Sequence, residues 1–327
     1  MQIAVTGSIA TDHLMSFSGS FTDHLLADRL DRVSLSFLAD RLEIRRGGVA
    51  ANISFGLGQL GLRPVLVGAV GGDFEPYRVW LKEHGVDTDS VLVRQGLHTA
   101  RFVCTTDRMQ NQIATFYAGA MSEARTIDLA PVLERVGRLG LVMVSPDDPE
   151  AMLRHTRACR SLGIPFAADP SQQLASLTRD QVLDLVDGAR WLFTNEYEAA
   201  LLQERTGLTD AEILRRVGCW VVTRGKKGVL IHRDGSRVLA VPAVEVPGVV
   251  DPTGVGDAFR AGFLAGVAWG VPEKCAAQLG CVLAATVLDY VGTQEYRLQR
   301  EPLMARLRTT YGVGCAAHLL AHLRELS

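Results

Sequence analysis

The chain runs to 327 residues, 47% hydrophobic, 21% charged and only 6% aromatic, and its 34 Lys and Arg against 36 Asp and Glu leave a formal charge of -2. That length supports a sizeable core, as one large α/β domain with an appendage or as two ordinary domains. The balanced charge, with no basic stripe, excludes a nucleic-acid partner, and no stretch approaches the ~20 apolar residues that a membrane span requires.

The N-terminal MQIAVTGSIATDH has neither a basic leader nor an apolar run of signal-peptide length, so a cytoplasmic protein is expected. The cysteines Cys104, Cys159, Cys219, Cys275, Cys281 and Cys315 stand singly, mostly in apolar runs, and read as reduced, buried thiols. His318 and His322 are four apart, but the intervening Leu-Leu-Ala carries no catalytic Glu, and no metal site is expected there. The strongest cationic clusters, Arg45-Arg46 and Arg224 with Lys226 and Lys227, are too small for a duplex yet large enough for a phosphate chain.

IAVTGS (3–8) reads as the first strand, and GSIATD (7–12) places Asp12 just past its C-terminal edge, where ligands collect in open α/β sheets. Residues 33–44 read as a half-buried strand. At 46–52, Gly47-Gly48 permits a close backbone approach, and Asn52 offers both a donor and an acceptor to vicinal hydroxyls. PVLVGAVG (64–71) is a second apolar strand, and residues 100–117 a half-buried pair with a polar tip near Arg108 to Asn111. Apolar strands at 141–145, 164–169, 191–195 and 219–223 then alternate with helical segments such as 149–162 and 178–187. After Asp251 the pattern is helical to the end. This alternation predicts an α/β fold, a mainly parallel central sheet with helices on both faces. The segments that break it predict a small projecting β-sheet lid at 13–45 and 99–118, set on a large domain of 1–12, 46–98 and 119–327. One face of such a sheet must be covered, by ligand, by the main domain or by another subunit.

DPTGVGDAFRAGF (251–263) carries the chemistry. Thr253-Gly254-Val255-Gly256 is a glycine-rich turn into a helix expected to start near Asp257. Unpaired amides at such a start, with the helix dipole behind them, favour an anion, and Gly254 and Gly256 let the backbone approach it. A carboxylate beside an anion hole suits phosphoryl transfer: Asp257 takes the proton of the attacking hydroxyl while the amides of Gly254 to Asp257 hold the phosphoryl charge. The chain has no G-x-x-x-x-G-K-[ST], and no G-x-G-x-x-G follows the first strand, which argues against a Walker-type enzyme and a dinucleotide dehydrogenase.

Nearly the whole chain resembles the ribokinase-like (PfkB-type) carbohydrate and nucleoside kinases. Asp251 to Phe259 is similar to that family's C-terminal signature and Arg46 to Asn52 to its N-terminal one; GAVGGD (68–73), GVDT (85–88), TNEYE (194–198) and TRGKKG (223–228) follow its lesser landmarks in order. The resemblance implies ATP and Mg2+, with K+ as a candidate activator. It places Asn195, Thr223, Gly225 and Gly228 at the nucleotide and Glu198 on the metal through water, and gives Asp12 the ribose diol. Lys226 and Lys227 are open to two readings, a phosphate contact or a charged hairpin tip.

Phe37, Phe102, Phe116 and Tyr117 are an unusual concentration of aromatics for this chain, suited to stacking on a base or to filling the lid's own core. GSIATDHL, SLSFL, RGGVAxN, TARFxCTTD, FYxGAMSEAR, AADPSQQLA and GTQE together resemble, within the family, the bacterial adenosine kinases of the actinobacterial type. That narrower resemblance implies transfer to the adenosine 5′-hydroxyl. Ser8, Asp12, Gly48 and Asn52 would bind the ribose, Phe102 and Phe116 would flank the adenine, and Gln172 and Gln173 are candidate readers of the base edge. It also implies a homodimer joined through the lid sheets, in which one lid aromatic could reach the partner's site. Ala51, Arg224 and Lys226 depart from the close pattern. A sugar kinase for ribose or fructose, and a catalytically silent nucleotide-binding protein, remain the alternatives.

Overall fold

The structure is a computed structural model that describes residues 1–24, 36–324 and 326. In chain order it opens with β1 (Ile3–Thr6), β2 (Ala10–Ser16), β3 (Arg41–Gly47), α1 (Val49–Gln59), β4 (Val65–Val67), β5 (Ala69–Gly71), α2 (Glu75–Glu83), β6 (Leu92–Arg94), β7 (Ala100–Thr106) and β8 (Gln112–Tyr117). Next come α3 (Leu129–Val136), β9 (Leu141–Val144), α4 (Pro149–Leu162), β10 (Phe166–Ala168), α5 (Arg179–Val186), β11 (Trp191–Asn195), α6 (Glu196–Thr206), α7 (Asp210–Leu214) and β12 (Trp220–Thr223). The chain closes with β13 (Val229–His232), β14 (Leu239–Val241), α8 (Val255–Trp269), α9 (Glu273–Val287), α10 (Arg300–Tyr311) and α11 (Val313–Leu319).

Eight strands form the central sheet in the order β14-β13-β12-β11-β10-β9-β1-β4. The run from β12 to β4 is parallel throughout, and β13 and β14 add an antiparallel edge. Alternate residues of each strand feed different cores, as the pleat requires. Val5, Met143, Ala167, Phe193 and Val221 join the core under α1, α8 and α9. Ala4, Val142, Ala168, Leu192 and Val222 join the core under α4, α5 and α6. Both faces are buried, which is why these strands read as continuous apolar runs. The expected α/β fold stands.

Helix ends follow local chemistry. Asp148 caps α4 by accepting from Glu150 N and Ala151 N, and Thr178 with Gln181 forms a capping box at α5. α8 starts at Val255, earlier than the expected Asp257, because Gly254 takes the cap with a left-handed φ of 75°. The expectation of unbroken helix after Asp251 needs correcting: α9 ends at Val287 and α10 begins at Arg300, and the intervening loop reaches back to α1.

A second sheet, order β3-β2-β7-β8, projects from the first. β2 is parallel to β7 and antiparallel to β3, and β7 and β8 form an antiparallel pair. β2 was not anticipated, since Ala10–Ser16 lacks a clear apolar alternation and is made a strand by partners on both sides. The strand expected at 33–44 is instead Arg41–Gly47; positions 36–39 have no regular structure and 33–35 lie outside the described residues. The apolar run 64–71 is two strands divided at Gly68, where a Cβ would come within 2.6 Å of Gly7 O. β5 leaves the main sheet to pair with β6.

Candidate active site

The catalytic, substrate, nucleotide and metal residues expected from the sequence line three adjoining cavities around the start of α8. The amides of Gly254, Val255, Gly256 and Asp257 have no acceptor among the described residues, while Thr253 N donates to Asp251 Oδ1 at 2.8 Å. Asp251 Oδ2 accepts from Gly292 N at 2.9 Å, so this first aspartate ties the turn to the loop after α9. A side chain at Gly254 would need the left-handed conformation and would bring its Cβ within 2.8 Å of Thr293 Cγ2.

Asp257 Oδ2 accepts from Asn52 Nδ2 at 2.8 Å. Asn52 Oδ1 in turn accepts from Thr293 Oγ1 at 2.8 Å and from Gln294 Nε2 at 2.9 Å, which fixes the orientation of the amide. Burial pushes the Asp257 carboxyl up to about 6; the Asn52 hydrogen bond and the Arg260 charge oppose that rise, and Asp12 adds to it. Asp12 is also raised to about 6, by burial and by Asp251, against Arg45. A carboxyl near 6 in a cleft is ionised at neutral pH yet basic enough to accept a proton.

Three cavities meet at this turn. The first, of about 480 Å³, is lined by Ser8, Asp12, Gly48, Asn52, Phe102, Phe116, Gln172 and Gln173, together with Gly254 and Asp257. All the substrate-binding residues expected from the sequence therefore share one cavity, of a size ordinary for a small-molecule site. Asp12 comes from β2, with Phe102 of β7 opposite it in register and Phe116 of β8 opposite Phe102. Ser8 Oγ accepts from Val49 N at 3.0 Å and keeps its O–H to donate. Gln173 Nε2 donates to Asp147 O at 2.9 Å, which leaves one of its amide hydrogens uncommitted. Phe37 and Tyr117 do not line this cavity; Phe37 packs on Phe17 and Phe21 with centroids 5.0 and 4.8 Å away, in the small sheet's own aromatic cluster.

The second cavity, of about 390 Å³, brings Thr223, Gly225 and Gly228 against an apolar wall that includes Val244, Val246, Val249, Phe259 and Leu288. Sequence reasoning missed that wall, because its residues come from a segment without regular structure and from two helices. Lys227 Nζ lies 3.7 Å from Glu196 Oε1 and Arg224 Nε 3.2 Å from it, so Lys227 reads as the charged tip, whereas Lys226 lines the cavity.

The third cavity lies between the others and is lined by Asn195, Glu198, Thr223, Gly256, Asp257 and Arg260. Asn195 and Glu198 cap α6 reciprocally: Asn195 Oδ1 accepts from Glu198 N at 2.8 Å, and Glu198 Oε2 accepts from Asn195 N at 2.7 Å. Glu198 Oε1 remains available, with only Ser171 Oγ at 3.2 Å. No group of three or more His, Cys, Asp or Glu able to hold a metal is found among the described residues. A single free carboxylate oxygen suits a hydrated Mg2+ carried by phosphates, which keeps several waters, rather than a bare ion in a protein cage. Arg260 was also missed by sequence reasoning; nothing in the motif shows that it turns back under the glycine turn.

The model of the pfkB carbohydrate kinase family matches residues 12–299. A nucleoside kinase of Methanothermobacter thermautotrophicus is 32% identical over 271 residues, covering 82% of this chain and 86% of the relative. Among solved structures, the Burkholderia thailandensis nucleoside kinase in complex with inosine is 32% identical, with a TM-score of 0.82 over 95% of this chain and 98% of that one. The same kinase in complex with ADP and inosine gives 33% identity and a TM-score of 0.80, over 95% of this chain and 96% of that one.

Proposed function

The chain belongs to the pfkB family of carbohydrate kinases, and from that premise we propose that it transfers the γ-phosphoryl group of ATP to the 5′-hydroxyl of a nucleoside, with adenosine as the substrate, giving AMP and ADP in purine salvage. One observation carries the reading: Asp257 borders both the cavity walled by Phe102 and Phe116 and the cavity holding Asn195, Glu198 and Thr223, beside amides that nothing in the described chain claims.

The chemistry follows from that junction. Asn52 holds one oxygen of Asp257, so the other is free to take the proton of a hydroxyl presented from the first cavity. As that proton leaves, the hydroxyl oxygen bonds to phosphorus, and the bond from phosphorus to the bridging oxygen breaks, its electron pair departing with ADP. The amides of Gly254 to Asp257 hold the charge on the transferred group, each such donor being worth about 3 kcal/mol. A bound Mg2+ would neutralise the phosphate chain, and Glu198, whose Oε1 accepts only from Ser171 Oγ, would orient a water of its shell. In the first cavity, the Asp12 carboxylate suits the ribose hydroxyls; Asn52, its carbonyl oxygen taken by Thr293 and Gln294 and one amide hydrogen by Asp257, can add a single donor rather than the donor and acceptor expected of it. Phe102 and Phe116 suit the faces of the base, and Gln172 and Gln173 its edge. Adenine of ATP fits the apolar wall of the second cavity.

The aromatic walls favour a nucleoside over a free sugar, which would be met mostly by polar groups. Inosine in the Burkholderia relative supports the same substrate class. The test is a panel of adenosine, inosine, guanosine, cytidine, ribose and fructose with ATP and Mg2+, assayed in K+ and in Na+. Adenosine should be phosphorylated most efficiently, and ribose turnover with every nucleoside untouched would sink the reading.

The assembly we infer is a homodimer through the projecting sheets. Strand register puts the exposed Leu42, Ile44 and Ile113 on the face opposite Asp12 and Phe102, so an apolar face is left open while the other closes the cavity. Sedimentation equilibrium of the protein and of an Ile44→Lys, Ile113→Lys variant tests this, with a monomeric native protein as the refuting result.

A further inference from the structure

Arg260 is 6% exposed and, among the described residues, is the only cationic side chain lining the cavity that joins Asp257 to Asn195 and Glu198. From the start of α8 it crosses to the end of β10. Nη2 donates to Asp169 Oδ1 at 2.7 Å, Nε lies 2.6 Å from Asp169 Oδ2, and Nη1 donates to Gly256 O at 3.0 Å. Asp169, 1% exposed, makes the pair almost wholly buried.

The bond to Gly256 O has a consequence at the other end of the same peptide unit. Gly256 C=O and Asp257 N–H belong to one planar group, so a charged donor on the oxygen orients and polarises the amide that faces the anion site. Gly256 itself leaves room for this: a Cβ there would come within 2.9 Å of Arg260 Nη1. The charged and titratable groups facing Asp257 are Arg260 on its own helix, Asp12 of β2, Asp169 after β10, Glu198 of α6 and the Tyr296 hydroxyl. Arg260 is the only cation among them, and it stands against three carboxylates.

We propose that Arg260 is a positioning residue for phosphoryl transfer, aiming the Asp257 amide through the Gly256 carbonyl and holding the Asp257 carboxylate in its ionised form, with Asp169 as its anchor. This rests on the assignment of Asp257 as the base.

The informative variant removes the pair as a unit, Asp169→Leu with Arg260→Met, because replacing a buried ion pair by apolar side chains is often neutral for stability. A melting temperature near that of the native protein is expected, with kcat lowered about tenfold or more and the acid limb of its pH profile moved up by about one unit. Native kcat and an unmoved limb would overturn the proposal, since a purely structural pair predicts both. Should the double variant not fold, Arg260→Lys serves: it keeps the charge, so the limb should stay in place, while a single ammonium cannot grip Asp169 and Gly256 together and kcat should fall several-fold. Native kcat in that variant would also overturn the proposal. An acid limb that persists in Asp257→Asn would fault the base assignment instead, a failure told apart because it arises with Arg260 intact.

Discussion

Asn52 and Asp257, 205 residues apart in the chain, are joined by a 2.8 Å hydrogen bond from the Asn52 amide to the Asp257 carboxylate. The bond unites the two glycine-rich turns of the sequence in one site. It also divides the labour of the carboxylate, since one oxygen is held and the other faces the cavity. Behind Asn52, Gln294 Nε2 also donates to Tyr77 Oη at 2.5 Å, and Tyr77 Oη donates to Gly47 O at 2.9 Å, so the Asp257 carboxylate is backed by a chain that returns to the first turn.

Replacing the proposed base tests the proposed mechanism most directly. Asp257→Asn should lower kcat by about 10²- to 10⁴-fold with little change in the KM for nucleoside, as read by steady-state kinetics. Asn52→Leu removes a hydrogen bond that favours the ionised carboxylate, so the acid limb of its kcat profile should move to higher pH.

The raised carboxyl of Asp257 makes an opposite demand on stability. Its folded value, about 6, lies above its ordinary 3.8, so its contribution to folding is full below about pH 4 and is lost as pH rises through 6. Activity should rise over the window in which this contribution falls. Chemical denaturation should find Asp257→Asn more stable than the native protein at pH 7, by on the order of 1 kcal/mol after solvent screening. The two should converge near pH 4, and a constant difference across pH 4–7 would exclude the linkage.

Phe102→Ala should raise the KM for adenosine about tenfold or more, the stacking worth of ~1–3 kcal/mol, and leave the KM for ATP unchanged because Phe102 lines only the first cavity. Equal effects on both substrates would assign the ring to the small sheet's own packing.

Gly254→Ala should be costlier to catalysis than to folding. Its φ of 75° and the 2.8 Å approach of a Cβ to Thr293 force the turn to shift, and with it the amides. A loss in kcat of about 10²-fold is expected, with a melting temperature lowered by only a few degrees.

The first cavity was legible residue by residue because its polar groups sit in short motifs at the ends of apolar strands, and apolar runs show where strands end. Glu198 could be matched through the Asn-x-x-Glu pattern, but the reciprocal cap it forms with Asn195 at the start of α6 appears only in the structure. The apolar wall of the second cavity was not legible, since Val244, Val246 and Leu288 are ordinary hydrophobic residues until the fold turns them onto a common slot. GTQE could be matched as a pattern, but not the bonds that Thr293 and Gln294 make to Asn52.

Sequence alone determined the layered α/β scaffold and the glycine-rich turn at 251–257 that leads into α8, because burial periodicity and glycine conformation are local properties. The tertiary structure decided what depends on distance between remote segments. It made β2 a strand by giving it partners on both sides, and put Arg260 beneath Gly256 against Asp169. It also aligned Asn52 with Asp257. Hydrogen bonds and buried charge pairs act only over a few ångströms, so residues far apart in the chain acquire these roles only when folding brings them together.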